Sequence, residues 1–534
     1  MLTLRDHRSG DLFDPWEYLG PQRRRLLEQS WAGVFREHLL PYLPVGELGA
    51  GLCPGLGRPT KDLHVAVGAL ILQQLHDLTD QQTVEAIALH IAWHYALDIR
   101  HEPDAYLCER TLRNYRRKII DLGLEGVLFR TLTDRLIKAV GIDTSKQRLD
   151  STAVRSAIRS LTRLGILVEG TSKFLRELKR VLPEQYQAVD EGVVRKYVER
   201  RGDGCFADTR PSESKRRLPE AARDVYELLE QFRTTEAIEL KSFQLLERIF
   251  HEQCELVPSE DEPVRVKSPT EIPCDNVLSP ADPDASYNKH RGVGYLVQLM
   301  ETFVEDDDED GDQQAAKPDL ITHVALGKMT VHDRSAVEPA LEDTEERGVK
   351  PAEVLADSHY GSNECLQQGA QHGVKVISPS MPPKGKQQGK LTLEESELDQ
   401  EGRITRCPEG QVPIETSIGT EKIQVVFDES VCGACPSRDR CPMAAVGRAS
   451  KRYQYTHDRV RQRQRRLQDA TDEFRGCYRW RAGIEATMSR YKHQMGMAKL
   501  RVRGIANVTY VAVLRALGLN IHRVAAYRAA IATS

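Results

Sequence analysis

Residues 477–504 read CYRWRAGIEATMSRYKHQMGMAKLRVRG, a strongly basic stretch that predicts a helix with one acidic residue. Tyr478, Arg481, Glu485 and Lys492 are separated by three, four and seven residues, so a single α-helix would hold them within one broad face. A carboxylate between an arginine and a lysine can bind a metal ion while the bases hold phosphates. An ordinary surface helix with ion pairs along its side is the alternative interpretation.

Two aspartates upstream stand at predicted strand ends. Residues 354–356, VLA, are apolar and lead directly into Asp357, and residues 147–154, QRLDSTAV, form a short predicted strand with Asp150 near its end. Together with Glu485 on its helix, these aspartates can converge at one edge of a sheet. Carboxylate oxygens suit Mg²⁺ or Mn²⁺, and a pair of such ions can activate the attacking oxygen and stabilise the leaving oxygen of a phosphodiester.

Two further aspartates are assigned structural roles. Asp143, in GIDTS, is an alternative to Asp150 as the first ligand, but it more readily caps a turn. Asp150 is preferred because Leu149 precedes it and other strand-forming residues follow. Asp333 is expected to cap a helix that begins near Ser335.

The three motifs resemble those of the DDE transposases of bacterial insertion sequences. The helix spacing Y-x2-R-x3-E-x6-K is the signature of that family, and this chain matches all four of its residues. RLDSTAVRS around Asp150 and LADSHYGS around Asp357 are similar to the first and second aspartate motifs. Residues 282–302, DPDASYNKHRGVGYLVQLMET, are similar to the strand pair that precedes the second aspartate. His359 departs from the family pattern, which commonly has glycine there, and we expect it to tolerate the turn rather than to contact a phosphate.

The resemblance covers most of the chain outside much of residues 155–257 and 381–455, and it implies an α/β fold. The catalytic core would be RNase H-like, a mixed five-stranded sheet flanked by helices. The implied catalytic and metal-binding residues, with Mg²⁺ or Mn²⁺ as the cofactor, are Asp150, Asp357 and Glu485. The implied DNA-binding residues around the last of these are Tyr478, Arg481 and Lys492.

The activity implied by the resemblance is that of a transposase. DNA strands would be cleaved at the element ends in a metal-dependent reaction, and the freed 3′-hydroxyl would attack target DNA. The partner would be double-stranded DNA, bound by a homodimer or a larger assembly because two ends must be held together. Two other functions stay open: a DNA-binding protein of transposase ancestry that no longer cuts, and an RNase H-like nuclease that cuts without joining strands.

Residues 1–140 are predicted to form an all-helical N-terminal domain that ends in a basic helix near residues 108–122. Arg110, Arg113 and Arg117 fall on one face of that helix by the i, i+3, i+7 rule. Two helices followed by a basic helix are compatible with a DNA-binding domain of the helix-turn-helix kind. A solvated basic face without a ligand is the alternative, with equal weight.

The catalytic domain is expected to contain two insertions. Its first part would span residues 141–380, with a helical insertion at about residues 155–258. Its C-terminal part, which carries Glu485, would span residues 456–534. The segment between them, residues 381–455, is the second insertion and is rich in Pro, Gly and Lys.

Four of the 11 cysteines cluster around the second insertion. Cys432 and Cys435 form a C-x2-C pair, with Cys407 upstream and Cys441 downstream. Such a pair is a good half-site for zinc, and structural zinc prefers four ligands. The spacing therefore favours a structural Zn²⁺ site, while reduced cysteines without a metal and a redox pair are the alternatives.

The net charge of −4 hides an uneven charge distribution. Residues 438–503 contain 18 Lys and Arg but six Asp and Glu, whereas residues 305–310, EDDDED, form an acidic tract that predicts a solvated loop. A local basic surface is what phosphate binding requires. No apolar run approaches the roughly 18–20 residues of a membrane span and no signal peptide is recognisable, so we expect a cytoplasmic, nucleoid-associated protein without a membrane partner.

Overall fold

The computed structural model describes residues 3–8, 13–52, 60–159, 161–199, 206, 213–258, 263–305, 316–383, 385–386, 389–442, 444–446 and 450–532. The acidic residues 306–310 lie outside these ranges. No helix within the ranges combines the length and apolar character that crossing a membrane requires.

Helices make up most of the described chain. The helices of the N-terminal region are α1 (Pro21–Glu28), α2 (Trp31–Val34), α3 (Val45–Ala50), α4 (Leu63–Leu75), α5 (Asp80–Leu89), α6 (Ile91–Leu97), α7 (Glu109–Asp121) and α8 (Leu124–Val140). The later helices are α9 (Arg163–Val181), α10 (Pro183–Gln187), α11 (Glu191–Val194), α12 (Ser214–Phe232), α13 (Lys241–Gln253), α14 (Val337–Glu346), α15 (Asn363–Gln371), α16 (Glu429–Cys432), α17 (His457–Asp469), α18 (Asp472–Tyr478), α19 (Gly483–His493) and α20 (Ile505–Ile531).

The strands belong to one large sheet and several small ones. They are β1 (Lys146–Arg155), β2 (Cys254–Leu256), β3 (Val264–Val266), β4 (Ser286–Asn288), β5 (Gly292–Thr302), β6 (Ile321–Lys328), β7 (Glu353–Ala356), β8 (Lys375–Ile377), β9 (Glu397–Leu398), β10 (Ile404–Arg406), β11 (Glu415–Ile418), β12 (Lys422–Asp428), β13 (Ala444–Val446) and β14 (Ser450–Thr456).

Five strands of the large sheet lie side by side in the order β6–β5–β1–β7–β8. β5 is antiparallel to β1 and β6, whereas β7 and β8 run parallel to β1. The short strand β4 pairs with β5 beyond the end of β6 and adds a sixth member. β5 has nine consecutive buried residues, as expected for a strand covered on both faces. The predicted mixed five-stranded sheet is therefore present.

The N-terminal region is helical, as predicted, and α4 lies at its centre. All 13 residues of α4, LHVAVGALILQQL, are buried, as expected for a helix without a polar face. The last helix, α20, packs against α4, α8 and β6. Buried side chains of the N-terminal region, α20 and the sheet consequently form one hydrophobic cluster.

Two separate hydrophobic clusters lie largely within the two predicted insertions. In the helical insertion, α9 packs against α12 and α13, and Phe174 contacts Phe232 and Phe243 edge to face. The second insertion is rich in strands, which the sequence did not predict. Its sheet has the order β11–β12–β14–β13, and alternate residues of β12 are buried, as expected for a strand with one covered face.

Candidate active site

Asp150 and Asp357 are neighbours on adjacent parallel strands. The register of β1 and β7 pairs Leu149 with Ala356. The next residue along each segment is an aspartate: Asp150 within β1, and Asp357 directly after the end of β7. Asp150 is buried, at 9% exposure, and Asp357 is partly exposed. Asp150 lies within β1 and not near its end, contrary to the sequence prediction, because β5 pairs with β1 as far as Arg155.

The turn after β7 holds Asp357 in place. Its Oδ1 accepts a hydrogen bond of 2.8 Å from the backbone amide of His359 and so caps a single 3₁₀ turn. Its backbone carbonyl accepts a second bond of 2.5 Å from the Ser378 hydroxyl. The His359 side chain is exposed, and a side chain pointing to solvent is tolerated in this turn.

Asp143, the alternative first ligand, lies at the opposite end of β1. Its Oδ1 accepts a bond of 2.9 Å from the amide of Ser145, and its Oδ2 accepts one of 2.8 Å from the Ser145 hydroxyl. The first residue of β1, Lys146, pairs with Glu353, the first residue of β7. Asp143 therefore stands at the far edge of the sheet from Asp357 and forms a turn.

Arg481 connects the first and third predicted carboxylates. Its guanidinium donates to Asp150 Oδ2 at 2.7 Å and to Glu485 Oε1 at 2.8 Å. The Glu485 side chain is 68% exposed, whereas that of Arg481 is 17% exposed. Arg481 thus links Asp150 to Glu485, with the glutamate on the solvent side. In the described part of the chain the ligand atoms of Asp150, Asp357 and Glu485 do not all lie within 4.8 Å of one another, so a shared ion would require these side chains to move inward.

The chain around Glu485 is helical, as predicted, but a 3₁₀ turn interrupts the α-helix between Tyr478 and Gly483. α18 ends at Tyr478, a 3₁₀ turn spans Arg479–Ala482, and α19 begins at Gly483. The buried Arg148 donates to the carbonyl oxygen of Trp480 at 2.8 Å. A Cβ on Gly483 would lie 2.1 Å from the Arg148 guanidinium. The 3₁₀ turn therefore coincides with a long-range contact from β1. Helical periodicity in the sequence could not have predicted that contact.

Arg148 belongs to a buried network of ion pairs and hydrogen bonds that connects the sheet to α19. Arg148 Nε donates to Glu301 Oε1 at 2.8 Å, and Glu301 Oε2 accepts bonds from Thr487 at 2.6 Å and Arg523 at 2.9 Å. These residues belong to β1, β5, α19 and α20. Because buried charges are stable only when paired and hydrogen-bonded, this network sets the position of α19 relative to the sheet.

Burial raises the pKa of the Asp150 carboxyl above its ordinary value. The charges of Asp357 and Asp333 raise it further, while Arg481 and the amide of Ser151 lower it. Like charges that crowd a buried carboxylate disfavour its ionised form. A cation at this place would relieve that repulsion.

Asp333 is a member of the site that the sequence analysis assigned to another role. Its carboxylate does not cap the following helix; it accepts a bond of 2.6 Å from the Ser151 hydroxyl and one of 3.2 Å from Arg291. The hydroxyl of Tyr360 is buried beside it, and burial followed by the charges of Asp333, Asp150 and Asp357 raises its pKa well above the usual value. Only the antiparallel return of β6 brings Asp333 here, so no local sequence signal could have placed it.

Lys492 lies near two arginines that the sequence analysis missed. Burial lowers the pKa of Lys492, and the charges of Arg291 and Arg155 lower it further, while Asp150 raises it. Tyr478 stacks on Phe474 with ring centroids 5.4 Å apart. Lys492 therefore lies within electrostatic reach of Arg291, Arg155 and Asp150.

The three arginines of α7 are exposed, as their spacing predicted. Arg113 Nε donates to a backbone carbonyl of its own helix at 3.4 Å, and Arg117 lies 3.7 Å from Asp121. Arg116, one position from this face, pairs with Asp80 and is partly buried. Arg110, Arg113 and Arg117 thus keep their side chains on the solvent side of the helical region.

The four cysteines of the second insertion line one cavity. Cys407 Sγ accepts a bond of 3.4 Å from the amide of Gln411. Burial, and then the neighbouring thiols of Cys441, Cys407 and Cys435, raise the pKa of Cys432. No three of these sulphur atoms form a group within 4.8 Å in the described part of the chain, so a shared ion would require the side chains to move inward.

Comparison with known families finds two transposase domains, one before and one after the strands of the large sheet in the sequence. A family described as Transposase DDE domain matches residues 406–525, which include Glu485 and its basic neighbours. A second family, Transposase domain (DUF772), matches residues 35–118, from the π-helical turn after α2 to α7. A search of curated proteins finds no match. These two matches, which flank the segment that contains Asp150 and Asp357, support a DDE transposase of the insertion-sequence type.

Proposed function

We propose that this transposase cuts DNA strands at the ends of its element and joins them to target DNA by metal-dependent catalysis at Asp150, Asp357 and Glu485. The observation that carries the proposal is the register of β1 and β7, which makes the two aspartates neighbours. Arg481 donates hydrogen bonds to both Asp150 and Glu485 and so links the glutamate to the first aspartate. A mixed sheet flanked by helices is the arrangement expected of an RNase H-like core, and it supports that assignment by analogy.

Mg²⁺ or Mn²⁺ fits these donors because three carboxylates offer only hard oxygen ligands. Burial, followed by the charges of Asp357 and Asp333, raises the pKa of Asp150, and this neighbouring negative charge also favours a cation. When bound, the metal would activate the attacking hydroxyl and stabilise the leaving oxygen. Arg481 would then be available to hold a phosphate, since a guanidinium binds carboxylates and phosphates with the same geometry.

The DNA strand would lie along a positive surface beside the carboxylates. Lys492, Arg291 and Arg155 surround the place where a phosphate would approach Asp150, and Tyr478 stands near it on the α18 side. These side chains would position the strand, and a basic surface of this kind binds phosphates without reading the sequence.

A second contact with double-stranded DNA is proposed for α7. Arg110, Arg113 and Arg117 are exposed together on one helix within the region that matches a transposase domain. Because transposition requires two element ends and a target to be held at once, we also propose a homodimer or a larger assembly on DNA. The reaction would take place on chromosomal DNA in the cytoplasm, at the nucleoid.

We further propose that Cys407, Cys432, Cys435 and Cys441 bind a structural zinc ion. All four line one cavity, and the amide of Gln411 already donates to one of the sulphurs, as in turns that stabilise a thiolate. Zinc would offset the raised pKa of Cys432, because a bound cation favours the deprotonated thiol. Four thiolate ligands would close the site and make it structural.

The test is a strand-transfer assay with the full-length protein, DNA that carries the ends bracketing its gene, and Mg²⁺ or Mn²⁺. The proposal expects cleavage and joined products with either metal, and neither product with EDTA or with the Asp357→Asn variant. Cleavage without joined products would instead support a nuclease. Binding without cleavage would support a DNA-binding protein that has lost catalysis.

Lys492→Ala should weaken binding of element-end DNA and make it less sensitive to salt. Each phosphate contact contributes about −0.9 to the slope of log K against log salt, so loss of one contact should make the slope less negative by about that amount. Binding isotherms at several salt concentrations measure it. Lys241→Ala, at an exposed position of the helical insertion, is the matched control, and an equal change in both variants would contradict the placement of DNA at Lys492.

A further inference from the structure

A cluster of potential metal ligands lies in the N-terminal helical region, away from the carboxylates of the sheet. It consists of His7, Asp62 and His64. One ligand atom from each of these residues lies within 4.8 Å of the other two. In the described part of the chain, no other group of three His, Cys, Asp or Glu residues meets this condition.

Both imidazoles contact the carboxylate of Asp62, each through a different oxygen. His7 Nε2 is 3.1 Å from Asp62 Oδ2, and His64 Nδ1 is 3.3 Å from Asp62 Oδ1. Ligand atoms at about 2.0–2.1 Å from a tetrahedral zinc ion are about 3.4 Å apart. The two imidazole rings have centroids 4.8 Å apart and are inclined at 64°, so both can direct a nitrogen to one point.

The cluster is withdrawn from solvent. The side chains of His7, Asp62 and His64 are exposed to only 3%, 4% and 11%. The second ring nitrogen of His7 faces the carboxylate of Asp98 at 3.8 Å, the position in which a carboxylate commonly orients a metal-bound imidazole. Asp98 is itself paired with Arg36 and Arg100, so Asp62 supplies the negative charge for the site.

The ligands come from two segments that the sequence separates widely. His7 lies on the N-terminal segment, residues 3–8, and Asp62 caps α4 by accepting a bond from the backbone amide of His64. Thr3 anchors the same segment, because its carbonyl accepts the amide of Leu63 at 3.3 Å. A shared ion would therefore fasten the N-terminal segment to the first turn of α4.

We propose that His7, Asp62 and His64 bind a zinc ion that clamps the N-terminal segment onto α4. Two neutral imidazoles and one carboxylate are ligands that zinc accepts, and water would complete the tetrahedron. The clamp would act on the helical region as a whole, because α4 is its buried centre and Arg5, on the same segment, pairs with Asp104 shortly before α7.

The first test is the zinc content of the full-length chain, purified without a histidine tag and dialysed against a limiting chelator. His7→Gln and His64→Gln should each bind one zinc ion fewer per chain than the wild type. His251→Gln, at an exposed position of α13, should match the wild type. A variant with both Cys432→Ser and Cys435→Ser should keep the zinc ion at His7, which separates this site from the proposed cysteine site. Equal zinc content in the wild type and both histidine variants would overturn the proposal.

The second test measures the clamp itself. Zinc should slow tryptic cleavage after Arg5 and Arg8 in the wild type and should have no effect on that cleavage in His7→Gln. His7 lies outside the helices, so this variant is expected to keep the circular dichroism spectrum of the wild type even if His64→Gln does not fold. Cleavage that zinc leaves unchanged in the wild type would show that the three side chains form only a hydrogen-bonded cluster.

Discussion

At the scale of single residues, the site is defined by the negative charges that meet there. Asp357 and Asp333 both raise the pKa of Asp150, and Glu485 joins them through Arg481. The arginines that contact these carboxylates, Arg481 and Arg291, do not balance four negative charges. The excess is what one or two divalent cations would neutralise.

Glu485→Gln should abolish catalysis and leave DNA binding unchanged. The amide can still accept the bond from Arg481 but is a poor metal ligand. Replacing a residue that only orients a metal ligand typically lowers activity 10- to 100-fold, so loss of a direct ligand should lower the cleavage rate by at least about 100-fold. Cleavage rates and binding isotherms with the same DNA measure the two effects. Glu473→Gln, on the exposed side of α18, should retain the wild-type rate, and near-normal cleavage by Glu485→Gln would refute the assignment of the third ligand.

Asp333→Asn should shift the acidic limb of the pH–rate profile to lower pH. Asp150 would bind metal as a carboxylate, so activity falls as the pH drops through its pKa. The charge of Asp333 raises that pKa, and removing the charge lowers it. The cleavage rate across the acidic range measures the shift, with Asp472→Asn at an exposed position as the control. An unmoved limb, or one at higher pH, would argue against electrostatic coupling of these aspartates.

At the scale of elements, the break between α18 and α19 decides where Glu485 points. The 3₁₀ turn over Arg479–Ala482 places Arg481 against Asp150. Arg148 holds this turn through the carbonyl of Trp480, and Gly483 leaves the space that the guanidinium occupies. The start of α19 is therefore set by β1 and not by its own sequence.

Gly483→Ala should destabilise the protein and reduce cleavage, whereas Gly476→Ala should not. Alanine favours helix over glycine by about 0.8–1 kcal/mol, and Gly476 has open space around its Cβ position. At residue 483 the added Cβ would collide with Arg148, and such overpacking costs about 1–3 kcal/mol. Denaturant unfolding and cleavage rates compare the two variants. A more stable and fully active Gly483→Ala would show that the contact does not position α19.

At the scale of the whole molecule, the helical N-terminal region and the catalytic sheet share one core. α20 packs against α4, α8 and β6. Its buried Asn520 accepts a bond from the amide of Ile321 and donates one to the carbonyl of the same residue, both at 2.8 Å. The edge of β6 is thus paired with a side chain of the last helix.

Asn520→Ala should lower the free energy of unfolding of the entire shared core. It would leave the buried amide and carbonyl of Ile321 without partners, and an unsatisfied buried group costs about 1–3 kcal/mol. Asn507→Ala, at an exposed position of the same helix, should change stability little. Unfolding followed by circular dichroism and by tryptophan fluorescence should show the loss with both probes, because Trp31 and Trp93 belong to the N-terminal region. A loss seen by only one probe would mean that the two parts unfold separately.

The difference between what could and could not be predicted is clear from individual residues. The apolar run before Asp357 predicted a strand, because burial on both faces requires such a run, and the family resemblance predicted the strands within residues 282–302. The cap role predicted for Asp333 was wrong, since the return of β6 carries its carboxylate to Ser151. Arg155 and Arg291 were missed because each is an isolated arginine in sequence. The contact between His7 and Asp62 likewise could not be predicted from the sequence, because the two residues are far apart in the chain.

The sequence by itself determined the transposase motifs, the strand that contains Asp150, the strand that leads into Asp357 and the basic character of residues 438–503. These depend on local spacing and composition, which act over a few residues. Only the tertiary structure decided that β1 and β7 align Asp150 with Asp357, that α18 and α19 separate above Arg148, and that Asp333 joins the site. Strand register and helix breaks arise from contacts between residues far apart in the chain, and local periodicity carries no information about them.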